Sequence, residues 1–103
     1  FQALASCSPA WYFQIIDTFA RAGLKYGLSK DNAVEIAAQA MAGAATLLLA
    51  EREAGTIPAQ LIDRVTSPGG TTIAGLLAAE EGGLSNALVG AVDASIHADS
   101  HLG

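Results

Sequence analysis

Apolar positions in this chain recur at helical spacing, and no segment alternates in the manner of a half-buried strand. The first helix is predicted from Ser8, read as an N-cap with Pro9 at the first helical position, to about Tyr26, with Gly27 as its stop. Trp11, Ile15, Phe19, Ala22 and Tyr26 fall on one face, and Gln14, Asp17, Arg21 and Lys25 on another. Asp17 and Arg21 are an i,i+4 ion pair. Ser29 caps a longer second helix, expected to end near Ala54 with Gly55 beyond it. Pro58 opens a short third helix to about Val65. A fourth is expected from about Thr72 to Glu81, stopped by Gly82 and Gly83, and a fifth from about Leu84 to Ala98, followed by a fraying tail. The fold class is therefore all-α, with five helices and no internal repeat.

The second helix carries its polar residues Asp31, Glu35, Gln39, Thr46 and Glu53 within a narrow arc, and nearly everything else from Ala33 to Ala50 is Ala, Gly, Val, Ile, Leu or Met. A helix that is apolar around most of its circumference is a buried one. The small residues Ala38, Ala42, Gly43 and Ala45 let neighbouring backbones approach closely. Four other helices in a chain of 103 residues are too few to cover it, so a second copy of the chain is expected to help. Trp11, Tyr12, Phe13, Phe19 and Tyr26 are read as core and interface residues.

Composition supports this picture. Hydrophobic residues make up 51% of the chain and charged residues 15%, against about 25% charged in ordinary domains, which leaves little polar surface for a lone monomer. The net charge of −5, with Arg21, Lys25, Lys30, Arg52 and Arg64 scattered, argues against nucleic acid. A single cysteine, Cys7, excludes an internal disulfide and fits a reducing, cytoplasmic location. No signal peptide is visible, and the chain starts at Phe1 rather than Met, as a piece of a longer polypeptide would. The mean hydropathy of +0.39 raises a membrane-associated helix pair as a reading. The uncharged run Ile36 to Ala50 is shorter than the roughly 18–20 residues a span needs, so no membrane partner is expected.

One loop concentrates the candidate chemistry. In Ser67-Pro68-Gly69-Gly70-Thr71-Thr72, the proline stiffens the approach, and the glycines can take angles closed to other residues and leave room for a ligand against the backbone. The N–H groups from about Gly70 to Ile73 lack intrahelical partners, and the positive end of the helix dipole points the same way. A carboxylate or phosphate would be held there without Lys or Arg. The residues alone favour the plainer reading, a tight turn with a Thr N-cap. A Walker-type phosphate loop is excluded, because no lysine follows these glycines. Asp93, His97 and His101 share a helix face at metal-ligand spacing, but near the chain end a solvated face is the better reading and no metal is expected. Cys7 has no evident base partner, and Glu80 and Glu81, being adjacent, point apart and do not form a catalytic carboxylate pair.

The run Val65-Thr66-Ser67-Pro68-Gly69-Gly70-Thr71-Thr72-Ile73-Ala74-Gly75 closely resembles the signature of the pyrroline-5-carboxylate reductase family, and Leu76 to Gly83 resembles the usual end of that helix. Ser8-Pro9-Ala10-Trp11-Tyr12-Phe13 is similar to the family's Gly-Pro-Ala-Tyr helix start, and residues 21–45 share its rhythm. The resemblance covers almost the whole chain. It implies residues 1–103 to be the carboxy-terminal dimerisation and substrate-binding domain, a five-helix fold like the carboxy-terminal domain of 6-phosphogluconate dehydrogenase that interlaces with a second copy. The family reduces 1-pyrroline-5-carboxylate to L-proline, the last step of proline biosynthesis, with NADPH or NADH held by an amino-terminal Rossmann domain; in some members dimers assemble further.

By resemblance, the substrate carboxylate sits on the N–H groups of Gly70, Thr71 and Thr72, with Ser67, Gly69 and the threonine hydroxyls completing the pocket and Thr72 nearest the ring nitrogen as the catalytic donor or positioning group. Two departures stand out. Ser6-Cys7-Ser8 replaces the family's Gly-Ser-Gly, and no Gly-x-Gly-x-x-Gly follows a strand, so this chain has no cofactor site and is expected not to turn over alone. A non-catalytic helical homodimerisation module is the alternative.

Overall fold

The computed structural model describes the backbone of residues 3–102 and the side chains of residues 3–98. Five α-helices follow one another: α1 Ser8–Lys25, α2 Lys30–Ala50, α3 Pro58–Val65, α4 Thr71–Glu81 and α5 Leu84–Leu102. The described residues contain no strand. They divide into two compact units, one of residues 8–57 and one joining the residues before Ser8 to those from Pro58 onward.

In the first unit α1 and α2 form a helical hairpin. Gly27, at φ +98°, ends α1: its N–H donates to the Leu24 carbonyl at 3.1 Å and the Leu28 N–H to the Gly23 carbonyl at 3.0 Å. That pair of bonds is a Schellman motif, which favours glycine at the left-handed position. Ser29 then caps α2, its hydroxyl accepting from the Asn32 N–H at 3.2 Å. The Arg21–Asp17 pair forms at 3.1 Å, and Lys30, from the start of α2, reaches the same carboxylate at 3.0 Å. The helices touch through small residues. Ala20 and Ala33 are buried, and a Cβ on Gly23 would stand 3.1 Å from that of Ala33.

The expected α2 terminus is corrected: the α-helix stops at Ala50, and Arg52–Ala54 is a 3₁₀ turn closed by Gly55 at φ +81°. Glu51 turns back on the loop, its carboxylate accepting from the Thr56 hydroxyl at 3.0 Å. Burial also differs. Within this chain Tyr12, Phe13, Phe19 and Tyr26 are exposed rather than core, and Ala33 is the one residue of α2 that is buried. An apolar groove of about 430 Å³ opens between α1 and α2, with Phe19, Leu28, Ile36 and Met41 in its walls. By length and composition alone, α2 is sufficient to cross a membrane, with a mean hydropathy of 1.6, where the uncharged run suggested otherwise. The core helix of a soluble protein meets the same criterion.

In the second unit a π-helical turn, Ala3–Cys7, packs against α5, and α4 packs against α5. Continuous helix from Ala3 overturns the reading of Ser8 as an N-cap; Ser8 lies inside the helix and is buried. Pro9, which has no N–H to give to the ladder, falls where i→i+5 bonding gives way to i→i+4. Gly83, at φ +97°, separates α4 from α5, and Ser85 donates to Glu80 across the turn at 2.6 Å.

Candidate functional site

The loop between α3 and α4 is built from its two ends. At the α3 end the half-buried Thr66 donates its hydroxyl to the Ile62 carbonyl at 2.8 Å, with the Asp63 carbonyl at 3.5 Å. This satisfies carbonyls that a helix C-terminus otherwise leaves open. From Ser67 to Gly70 the chain makes a tight turn, in which the Gly70 N–H donates to the Ser67 carbonyl at 3.0 Å. Proline at the second position and Gly69 at φ +72° at the third are the marks of a type II turn.

Gly70 leaves that turn extended, with φ −81° and ψ 172°, and is the N-cap of α4. It has no side chain with which to cap, and no side-chain cap bond is present. The Ala74 N–H closes the first helical bond onto the Gly70 carbonyl at 3.4 Å. The N–H groups of Thr71, Thr72 and Ile73 therefore stand at the helix start without intrahelical acceptors. The first turn of α4 carries no acidic residue to offset the dipole. Thr71 and Thr72 are exposed, as are Ser67 and Gly69. The arrangement can hold a small anion by charge-assisted hydrogen bonds to the backbone.

All five loop residues singled out in the sequence thus fall on one turn and one helix start. Three details change. The N-cap is Gly70, not a threonine, and α4 begins at Thr71. The Gly70 N–H is engaged with Ser67, so Thr71, Thr72 and Ile73 are the donors. Only Gly69 adopts an angle that favours glycine. Sequence reasoning missed Thr66; its signal was a threonine four residues after Ile62 at a helix end, the spacing at which a hydroxyl reaches back to a carbonyl.

Among the described residues no group of three His, Cys, Asp or Glu side chains could hold a metal. Asp93 and His97 are exposed, and the side chain of His101 lies outside the described residues. Cys7 is a half-buried free thiol in the π-helical turn.

A helical chain with no strand among its described residues and an exposed apolar hairpin has the form of a self-associating domain. The chain belongs to the pyrroline-5-carboxylate reductase dimerisation family, whose model matches residues 1–102. It is 46% identical over 93 residues to the pyrroline-5-carboxylate reductase of Treponema pallidum, an alignment covering 90% of this chain and 34% of that protein. It is 42% identical to pyrroline-5-carboxylate reductase 2 of Homo sapiens, covering 89% of this chain and 28% of the human protein. The solved reductase of Streptococcus pyogenes superposes with a TM-score of 0.86 at 40% identity, over 94% of this chain and 36% of that one. The Plasmodium falciparum enzyme, solved with NADP bound, gives 0.89 at 27% identity, over 99% and 38%. The chain thus spans about a third of the length of these relatives.

Proposed function

We propose that this chain is the carboxy-terminal dimerisation and substrate-binding part of a cytoplasmic enzyme that reduces 1-pyrroline-5-carboxylate to L-proline with NADPH or NADH. The observation that carries this reading is the glycine-capped start of α4, whose open N–H groups suit a carboxylate. The carboxylate is received by the Thr71, Thr72 and Ile73 N–H groups, with the Ser67 hydroxyl beside them. The cyclic imine is thereby oriented, and the Thr72 hydroxyl lies within reach of the ring nitrogen as donor or positioning group. Holding the ring in one pose contributes chiefly through proximity.

The described residues offer no strand leading into a glycine-rich turn, so they do not fit a dinucleotide. The hydride donor is held by residues outside this chain, in an amino-terminal Rossmann domain, and the chain alone does not turn over. A decisive experiment joins residues 1–103 to the amino-terminal domain of the Treponema pallidum relative and follows NADPH oxidation with pyrroline-5-carboxylate. Turnover by the fusion is expected, together with a large loss in Thr72→Ala. An active fusion indifferent to Thr72→Ala would remove the role given to that hydroxyl.

The exposed α1–α2 groove supports a second reading, a homodimerisation module without catalytic part. Light scattering separates the parts of the problem. A dimer is expected for the isolated chain, and a stable monomer at micromolar concentration would contradict self-association through the hairpin.

A further inference from the structure

We propose that Gly70 is a positioning residue for the Ser67 hydroxyl, an inference that rests on the carboxylate-binding reading above. The backbone of Gly70, at φ −81° and ψ 172°, is one that any residue adopts, so conformation does not require glycine there. Its neighbour does. A Cβ built on Gly70 would stand 2.6 Å from the Ser67 Oγ and 3.2 Å from the Ser67 carbonyl oxygen. The space a side chain at position 70 would fill is the space the Ser67 hydroxyl uses.

The Ser67 backbone is fixed independently of that hydroxyl, by Pro68, by Gly69 at φ +72° and by the 3.0 Å bond from the Gly70 N–H to the Ser67 carbonyl. With the backbone fixed, the hydroxyl's place reduces to one torsion, χ1 of Ser67. Glycine at 70 keeps open the rotamer that sets Oγ beside the N-cap of α4. Alanine closes it. The cheapest relief is rotation of Ser67 away from the helix start, because Oγ is the end of a one-torsion side chain, whereas the carbonyl need shift only by tenths of an ångström. The substitution should therefore spare the fold and displace a ligand group.

The test uses this chain, with L-proline as the probe. Three-bond couplings of Ser67 report its rotamer without ligand, and the Thr71 and Thr72 amide shifts report L-proline binding. Gly70→Ala is expected to change the Ser67 rotamer and to weaken L-proline binding about tenfold, the scale of one hydrogen bond to a charged group. In a Ser67→Ala background, the same Gly70→Ala change should weaken binding by no more than about twofold, because the colliding atom is gone. An unchanged rotamer, or equal losses in both backgrounds, would overturn the proposal. Should Gly70→Ala fail to fold, Ser67→Ala/Gly70→Ala is expected to fold, and its failure would assign the collision to the carbonyl instead. Absence of any L-proline response in the unsubstituted chain would defeat the carboxylate reading itself, while the rotamer comparison still decides whether Gly70 sets Ser67.

Discussion

Replacing Gly69 with alanine isolates the backbone contribution to the loop. Gly69 sits at φ +72°, and nothing lies within 4 Å of where its Cβ would stand, so packing does not enter. Placing an L-residue other than Gly or Asn in the left-handed region costs roughly 1–2 kcal/mol. Alanine also narrows the unfolded ensemble, which returns about 0.4–1 kcal/mol. The net expectation is a loss of about 1 kcal/mol, or about 4–8 °C in melting temperature for a domain of this size. Gly69→Asn should lose less, because asparagine tolerates the third position of a type II turn. Urea and thermal unfolding followed by circular dichroism measure both. An alanine variant as stable as the parent, or an asparagine variant no better than alanine, would refute the turn assignment. The contrast with Gly70→Ala is sharp: one glycine answers to backbone torsion, the next to a neighbouring hydroxyl.

Two further outcomes follow from the same structure. Thr66→Val, which keeps the shape but removes the 2.8 Å bond to the Ile62 carbonyl, should destabilise by about 1 kcal/mol in urea titration, and Thr66→Ser should retain most of that stability. The Asp17 carboxyl is held below its ordinary value of 3.8 chiefly by its hydrogen bond to Lys30; desolvation, next in size, raises it, and the charges of Lys30 and Arg21 lower it further. A depressed carboxyl pKa stabilises the fold fully above the unfolded value, and that contribution is lost as pH falls through the folded one. Melting temperature should therefore drop as pH is lowered below 3.8, and the drop should be shallower in Asp17→Asn.

Helix punctuation was largely legible in the sequence because its causes are local. Gly27, Gly55 and Gly83 are all at positive φ, and Ser29 caps α2 as its position suggests. What escaped was set by residues farther away. Glu51 ends α2 early by folding back onto Thr56, and Lys30 joins Asp17 only because the hairpin brings α2 to α1. Ser8 loses its capping place to a π-helical turn with no sequence signature of its own. The aromatic residues of α1 were read as core and interface, and within this chain Tyr12, Phe13, Phe19 and Tyr26 are exposed. Periodicity shows that Phe19 and Tyr26 share a face, but it does not show whether this chain or another covers them.

The same distinction explains the loop. Threonine is a favoured N-cap and two threonines follow the glycines, so local preference points to a threonine cap. The turn overrides it, because closure of Ser67 onto Gly70 sets Gly70 extended and makes it the residue before the helix. A glycine N-cap costs only a few tenths of a kcal/mol relative to Ser, Asp or Asn. In exchange, residue 70 offers no side-chain oxygen to the Thr72 and Ile73 N–H groups, and no atom at position 70 displaces the Ser67 hydroxyl. A serine or aspartate at 70 would do both at once, capping the helix from within and striking Ser67. The small stability forgone at this one position leaves the first N–H groups of α4 without a cap from residue 70.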